Sequence, residues 1–162
     1  MTPPLKRERT NTGAGSMPLT SDNLALPTSV ITFEHFTVRP DRIIASVRVT
    51  DERFAYTNPY LINALVARFP YLLEHDCINN VGPTFGHVAN DTALPHLVEH
   101  LVIAIQAERE PVSARGKWYL GKTFWTDRSE LRAQIEVNYA DDLIALRAFS
   151  DATAAIDFIM LK

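Results

Sequence analysis

Several features that mark whole classes of protein are scarce in this chain of 162 residues. It has a single cysteine, Cys77, so no disulfide can form within it, and we expect a reducing, cytoplasmic setting. No apolar run approaches the roughly 18–20 residues that cross a bilayer, and the N-terminus lacks the apolar block of a secretory signal. Lys and Arg together number 16 against 19 Asp and Glu, which argues against nucleic-acid binding. We therefore expect a globular protein with neither a membrane nor a nucleic-acid partner.

The N-terminal stretch has a different composition from the rest of the chain. Residues 1–28 contain no aromatic side chain and are rich in Pro, Thr, Ser and charged residues. Such a segment cannot bury enough apolar surface to offset the entropy lost on ordering. We expect a disordered tail over 1–28 and one folded domain over 29–162. For such a domain a homodimer is the commonest assembly.

The folded part predicts elements in the order β-β-α-α-β-β-α. Apolar side chains alternate from Ile43 to Val49, as in a half-buried strand, after an earlier strand-like run at 29–38. A helix is predicted from Pro59, with Asn58 or Thr57 as its cap. Further predictions are a helix at 92–109 capped by Asp91 or Thr92, strands at 117–125 and 131–140, and a last helix at 150–160. This order indicates an α+β fold, with helices packed on one face of a mostly antiparallel sheet.

The helix at 92–109 is apolar almost all round, yet it carries His96, Glu99 and His100. On a helix these three lie within an arc of about 100°, and burying them without partners costs several kcal/mol. The spacing His-x-x-Glu-His is that of inverted zincins. In that arrangement two imidazoles bind Zn²⁺, and the carboxylate takes a proton from the water that zinc activates. The alternative is two core histidines bonded to the backbone, with Glu99 paired to an arginine.

A catalytic zinc site needs a third protein ligand, and spacing alone leaves several candidates. Cys77 lies in a turn-rich loop before the helix, where the chain can return it to the metal. The competing residues are His87, Glu74, His75, Glu108 and Glu136. A zinc closed by four protein ligands, His87 being the fourth, would be purely structural. Trp118, Tyr119 and Trp125 are candidates either for a substrate groove or for the core of the sheet.

Two motifs stand out in the chain, FPYLLEHDC at 69–77 and, after it, HLVEHLVIAIQ at 96–106. Together they resemble the N-terminal domain of cyanophycin synthetases, with fainter likeness through YLGKT at 119–123 and EVNY at 136–139. In some members that domain is a zinc hydrolase that cuts cyanophycin, an aspartate polymer carrying arginine on its side chains. The resemblance covers about residues 30–155. It implies the same fold, a Zn²⁺ cofactor and hydrolysis of amide bonds in such a polymer or a related Asp/Arg peptide.

Carried over residue by residue, the resemblance makes His96, His100 and Cys77 the metal ligands and Glu99 the general base. Four further residues would support the ligands or contact the substrate: Glu74, His75, Gln106 and Lys122. Glu74 and His75 are equally compatible with surface positions at a helix end. A non-catalytic module that keeps the fold and binds a polymer or a protein is the alternative function.

The chain also departs from the family pattern. The stretch after Cys77 has fewer glycines, Asn138 stands where the family usually has Glu, and Lys122 stands where it usually has Arg. If those positions contact the polymer, the choice of substrate differs. The chain ends where the synthetases continue into ATP-grasp and ligase domains, so we expect neither ATP use nor polymerisation.

Overall fold

A computed structural model describes residues 26–110, 116 and 118–162. The expected tail over 1–28 lies almost entirely outside the described residues. The elements follow the predicted order, with short 3₁₀ turns between them. No helix in the described ranges is both long and apolar enough to cross a membrane. The strands are β1 (Ile31–Val38), β2 (Arg42–Val49), β3 (Gly121–Asp127) and β4 (Arg132–Asn138), and the helices are α1 (Pro59–Arg68), α2 (Leu94–Arg109) and α3 (Asp142–Met160).

The four strands form one antiparallel sheet in the order β1-β2-β4-β3. Alternation places Ala45 on the buried face of β2 and Ile135 opposite it on β4, while the intervening side chains face solvent. Helices cover the buried face, and α2 packs against α3 as well as against β3 and β4. The α+β fold with helices on one face is therefore confirmed, and the sheet is wholly antiparallel.

An irregularity in β1 fits its aromatic residues to the core. The register shifts between Phe33 and His35, so that Phe33 opposes Val47 and Phe36 opposes Ala45. The extra residue of a bulge turns two side chains of opposite parity towards the same face. Both Phe rings therefore reach the ring of Phe149 on α3, at centroid distances of 5.9 and 5.5 Å.

Helix α1 begins as its sequence predicts. The side chain of Asn58 accepts a hydrogen bond from the backbone N–H of Leu61, and Pro59 occupies the first turn, where its missing N–H costs nothing. The helix ends at Arg68, two residues before Pro70. The chain then makes a 3₁₀ turn at Leu72–Glu74 and enters the loop that carries Cys77.

The predicted start and cap of α2 are wrong. The helix begins at Leu94, its N-cap is Ala93, and no side chain caps it. The hydroxyl of Thr92 lies 2.9 Å from Nδ1 of His96 and contacts that ring instead of the helix amides. Asp91 belongs to a preceding 3₁₀ turn. Thr92 thus contacts the ring of His96 and does not cap the helix.

The last helix is longer than predicted, since α3 begins at Asp142 rather than at 150. Asp141 caps it by accepting hydrogen bonds from the N–H groups of Leu143 and Ile144. Its additional turns bury Ala145 and Ala148, small residues that let the helix approach the sheet closely.

We expect Phe149→Ala to lower the free energy of unfolding by about 3–5 kcal/mol, because it opens a cavity among the aromatic rings of β1 and α3. Phe158→Ala, on the same helix, is the matched control. Its ring is 72% exposed, so truncating it is expected to change stability by less than about 1 kcal/mol. Urea denaturation of both variants checks this, and equal losses would contradict the packing of α3 described above.

Candidate metal centre

Two imidazoles and a thiol converge between α2 and the loop that precedes it. His96 and His100 lie one turn apart on α2, and Nε2 of one ring is 3.2 Å from Nε2 of the other. The sulfur of Cys77 lies 3.4 Å from Nε2 of His96. All three donor atoms lie within 4.8 Å of one another, and the group could hold a metal ion. The structure therefore brings together the three residues that the sequence singled out as ligands.

The other nitrogen of each imidazole has its own partner. Nδ1 of His96 faces the hydroxyl of Thr92 at 2.9 Å, and Nδ1 of His100 faces Nδ1 of His75 at 3.2 Å. With protons on Nδ1, both rings donate outward, and the lone pairs of their Nε2 atoms point inward. Metal-binding histidines in proteins are commonly fixed in this way. His75, for which the sequence left a supporting role and a surface position open, thus contacts a candidate ligand.

A buried ring and a polar loop hold the donors in place. Phe85 is fully buried, stacks on His100 at a centroid distance of 4.1 Å and meets His96 edge-on at 5.3 Å. In the loop, the amide of Asn79 donates to the carbonyl of Cys77 and accepts from the N–H of Val81. The donor positions therefore rest on packing and on backbone hydrogen bonds.

Burial keeps the donors uncharged. The pKa of His100 falls to about 2, mainly because the ring is buried and in smaller part because His96 and His75 lie beside it. Burial also lowers the pKa of His96 and of His75, and it raises the pKa of the Cys77 thiol. The imidazoles are therefore neutral and ready to bind a cation at neutral pH, whereas the thiol must lose its proton on binding.

Glu99 lies beside the donors and is itself buried. Its Oε1 is 4.0 Å from Nε2 of His100, and its Oε2 accepts a hydrogen bond of 2.5 Å from the hydroxyl of Thr123 on β3. Burial raises the pKa of this carboxyl to about 7, against the opposing effect of the Thr123 hydrogen bond. Gly121 leaves room for it, since a Cβ there would lie 2.5 Å from Cγ and 2.6 Å from Cδ of Glu99.

The alternative of histidines bonded to the backbone and Glu99 paired to an arginine does not describe this arrangement. The imidazole nitrogens face side chains, and Thr123 supplies the hydrogen bond to Glu99. His87 is exposed, and its ring contacts Thr84 rather than the donors. It does not belong to the candidate metal group, which has three members.

The three donor residues line a cavity of about 1000 Å³. Its walls are α2, the loop after His75 and the segment from Trp118 to Trp125, and its charged residues are Asp76, Asp91, Glu99 and Lys122. Trp118 and Tyr119 lie just before β3 and line the cavity, as does Trp125 within that strand. Trp125 also packs against the hydrophobic core, so it fits both alternatives, whereas Trp118 and Tyr119 line the cavity.

Of the other residues that the sequence predicted to support the ligands or contact the substrate, only Lys122 lines the cavity, while Gln106 and Glu74 do not. Lys122 lines the cavity, with its ammonium 5.3 Å from the ring of Phe124. Gln106 is buried further along α2 and donates to the carbonyl of Asn138, so it ties the helix to β4. Glu74 is exposed and is not among the residues that line the cavity.

Glu108 and Glu136, the two remaining candidate ligands, each lie near an arginine, and Asn138 forms hydrogen bonds to the backbone. Glu108 pairs with Arg68 at 2.9 Å, and Glu136 lies 3.6 Å from Arg42. The side chain of Asn138 accepts from the N–H of Leu120 and donates to the carbonyl of Trp118. Asn138 therefore anchors the segment that leads into β3.

Sequence reasoning missed four residues that shape the centre. Thr92 was expected only as a cap, and no role was expected for Thr123, Gly121 or Phe85. Thr123 lies 24 positions from Glu99, so no local pattern links them. Two signals were present in the sequence: the spacing of Thr92 from His96, one helical turn, and the fainter family likeness at 119–123, which contains Gly121 and Thr123.

Zinc added to the metal-free protein is expected to bind at about one ion per chain, as elemental analysis after dialysis would measure. The double variant His96→Ala/His100→Ala should lose this binding because it removes two of the three donors. His35→Ala/His87→Ala is the matched control, since both rings are exposed and lie outside the group. Equal zinc content in the two double variants would place the metal elsewhere.

Thr123→Val is expected to lower the free energy of unfolding of the metal-free protein by about 1–3 kcal/mol, because a buried carboxyl loses its hydrogen-bond donor. Thr126→Val, an exposed position on the same strand, should change it by less than about 0.5 kcal/mol. Thermal or urea unfolding measures both. Equal effects would mean that Glu99 does not depend on Thr123.

The chain matches no family model, no curated protein and no solved structure. The candidate metal centre therefore carries the functional interpretation by its own geometry.

Proposed function

We propose that this protein is a zinc-dependent hydrolase of amide bonds. The observation that carries the proposal is the convergence of Cys77, His96 and His100 beside the buried carboxyl of Glu99, at the wall of a large cavity. Three protein donors with a fourth position left for water or substrate are typical of catalytic zinc sites, whereas structural sites are closed by four.

The donor set fits zinc in both chemistry and spacing. Imidazole and thiolate together favour zinc over magnesium or calcium, which prefer oxygen ligands. Around a tetrahedral zinc, two nitrogen ligands lie about 3.3 Å apart, and a nitrogen and a sulfur about 3.6 Å apart. The corresponding separations here are 3.2 Å between the two Nε2 atoms and 3.4 Å between the sulfur of Cys77 and Nε2 of His96.

The residues around the donors have separate roles in the proposed reaction. Zinc held by Cys77, His96 and His100 would polarise the scissile carbonyl and lower the pKa of a water molecule. Glu99 takes a proton from the attacking water and passes it to the nitrogen of the leaving amine, so that cleavage yields an acid and an amine. The Thr123 hydroxyl orients that carboxylate, and His75 and Thr92 orient the two imidazoles.

For the substrate we propose cyanophycin or a related Asp/Arg peptide, in line with the resemblance of the two sequence motifs. The cavity carries charges of both signs, which suits a substrate that presents carboxylates and guanidinium groups. Asp76 and Asp91 supply negative charge, and Lys122 supplies positive charge.

Glu99→Gln is expected to reduce hydrolysis of cyanophycin at least about 100-fold, because the amide cannot accept the proton from water. The release of new amino groups measures the rate, and elemental analysis should still find zinc, since the three donors remain. Glu108→Gln is the matched control, the same substitution on the exposed side of the same helix, and should keep the wild-type rate.

A non-catalytic binding module gives a different result in the same experiment. Wild-type protein loaded with zinc would then bind the polymer without releasing amino groups, and Glu99→Gln would change neither binding nor release. That outcome would rule out the hydrolase.

A further inference from the structure

The cavity beside the metal centre runs along one edge of the sheet. β3 is the last strand in the order β1-β2-β4-β3, and no described strand pairs with its outer edge. Residues Leu120 to Trp125 all line the cavity. The outer edge of β3 is therefore next to the three metal donors and Glu99.

The phase of the β3–β4 ladder determines which backbone groups point outward. The N–H of Asn138 donates to the carbonyl of Leu120 at 3.1 Å, and the N–H of Leu120 donates to the Asn138 side chain, so the backbone groups of Leu120 point towards β4. Residues with this orientation alternate along an antiparallel ladder, so Lys122 and Phe124 bond to β4. The N–H and C=O groups of the intervening residues, Gly121, Thr123 and Trp125, consequently point towards the outer edge.

These outward groups lie beside the reacting carboxyl. The hydroxyl of Thr123 donates to Glu99, while the backbone of the same residue faces the free edge. Gly121 has no side chain to separate the edge from Glu99. The irregularity between Trp125 and Asp127 limits regular pairing to the part of the strand that lines the cavity. A strand added here would pass Glu99 at the position of Thr123.

We propose that the outer edge of β3 binds the main chain of an extended peptide as an additional strand, which positions a main-chain amide at Glu99. This inference rests on the proposed hydrolase for the role of Glu99, and it names the substrate as an extended polypeptide backbone. Backbone pairing supplies affinity, and side chains alternate between the cavity and the opposite face of the sheet. Among the charges that line the cavity, acidic residues outnumber Lys122, which favours a peptide with basic side chains.

The test uses Glu99→Gln protein, with and without zinc, and a blocked seven-residue peptide of alternating Arg and Val, about as long as β3. Amide hydrogen exchange is followed residue by residue by NMR. In the free protein the amides of Thr123 and Trp125 should exchange fast, and those of Lys122 and Phe124 slowly. Peptide at about 1 mM should slow Thr123 and Trp125 at least about 10-fold and leave the slow pair unchanged.

Peptides methylated at one backbone nitrogen provide the control on the ligand side. Methylation at alternate positions should abolish the protection, because it removes donors that pair with β3, whereas methylation between them should leave it intact. Loss of protection at every position, protection outside β3, or no protection at about 1 mM would overturn strand addition.

The same measurements separate this inference from the proposed function. If wild-type protein hydrolyses the peptide or cyanophycin while β3 stays unprotected in the Glu99→Gln protein, the hydrolase stands and strand addition fails. If β3 is protected but wild-type protein loaded with zinc cleaves neither substrate, strand addition stands and the hydrolase fails.

Discussion

The buried face of α2 constrains the rest of the molecule because it mixes ionisable side chains with apolar ones. A helix that buries His100 and Glu99 must find a partner for each polar atom, or folding loses several kcal/mol. The partners come from three parts of the chain: Thr92 before the helix, His75 in the loop and Thr123 on the sheet. The loop and the edge strand therefore take their positions from the polar side of one helix.

This constraint also explains why the centre combines rigid and irregular structure. The two imidazoles are held by a helix and by the buried ring of Phe85. Cys77 instead sits on a loop, whose backbone is ordered by the amide of Asn79 and by the hydrogen bond from the N–H of Cys77 to the carbonyl of Pro83. Helix α2 therefore fixes the positions of two donors, and side-chain and backbone hydrogen bonds within the loop fix the position of the third.

The sequence was most informative where local chemistry decides the structure. Alternation identified β2, the pair Asn58 and Pro59 identified the start of α1, and the two histidines identified the donor face of α2. The start of α3 could also have been read, because Asp141 is a good N-cap ahead of an apolar stripe.

What the sequence could not provide were contacts between distant segments. The diversion of Thr92 from capping to His96, and the approach of β3 to Glu99, depend on how α2 lies over the sheet. Period and capping rules describe single elements, so they cannot predict the clearance that Gly121 leaves for a carboxylate.

The position of the thiol has a consequence for the chain between the donors. Cys77 and His96 are 19 positions apart, so a metal bound to both would close that segment into a ring. Such cross-links restrict the unfolded chain, and for covalent bridges over about 15 residues the effect is about 3 kcal/mol. The ring would include Ile78 and Val81, exposed apolar residues on the cavity wall. Loss of the metal would therefore remove a restraint on the segment that forms this part of the cavity wall. The shape of the cavity would then depend on whether the metal is bound.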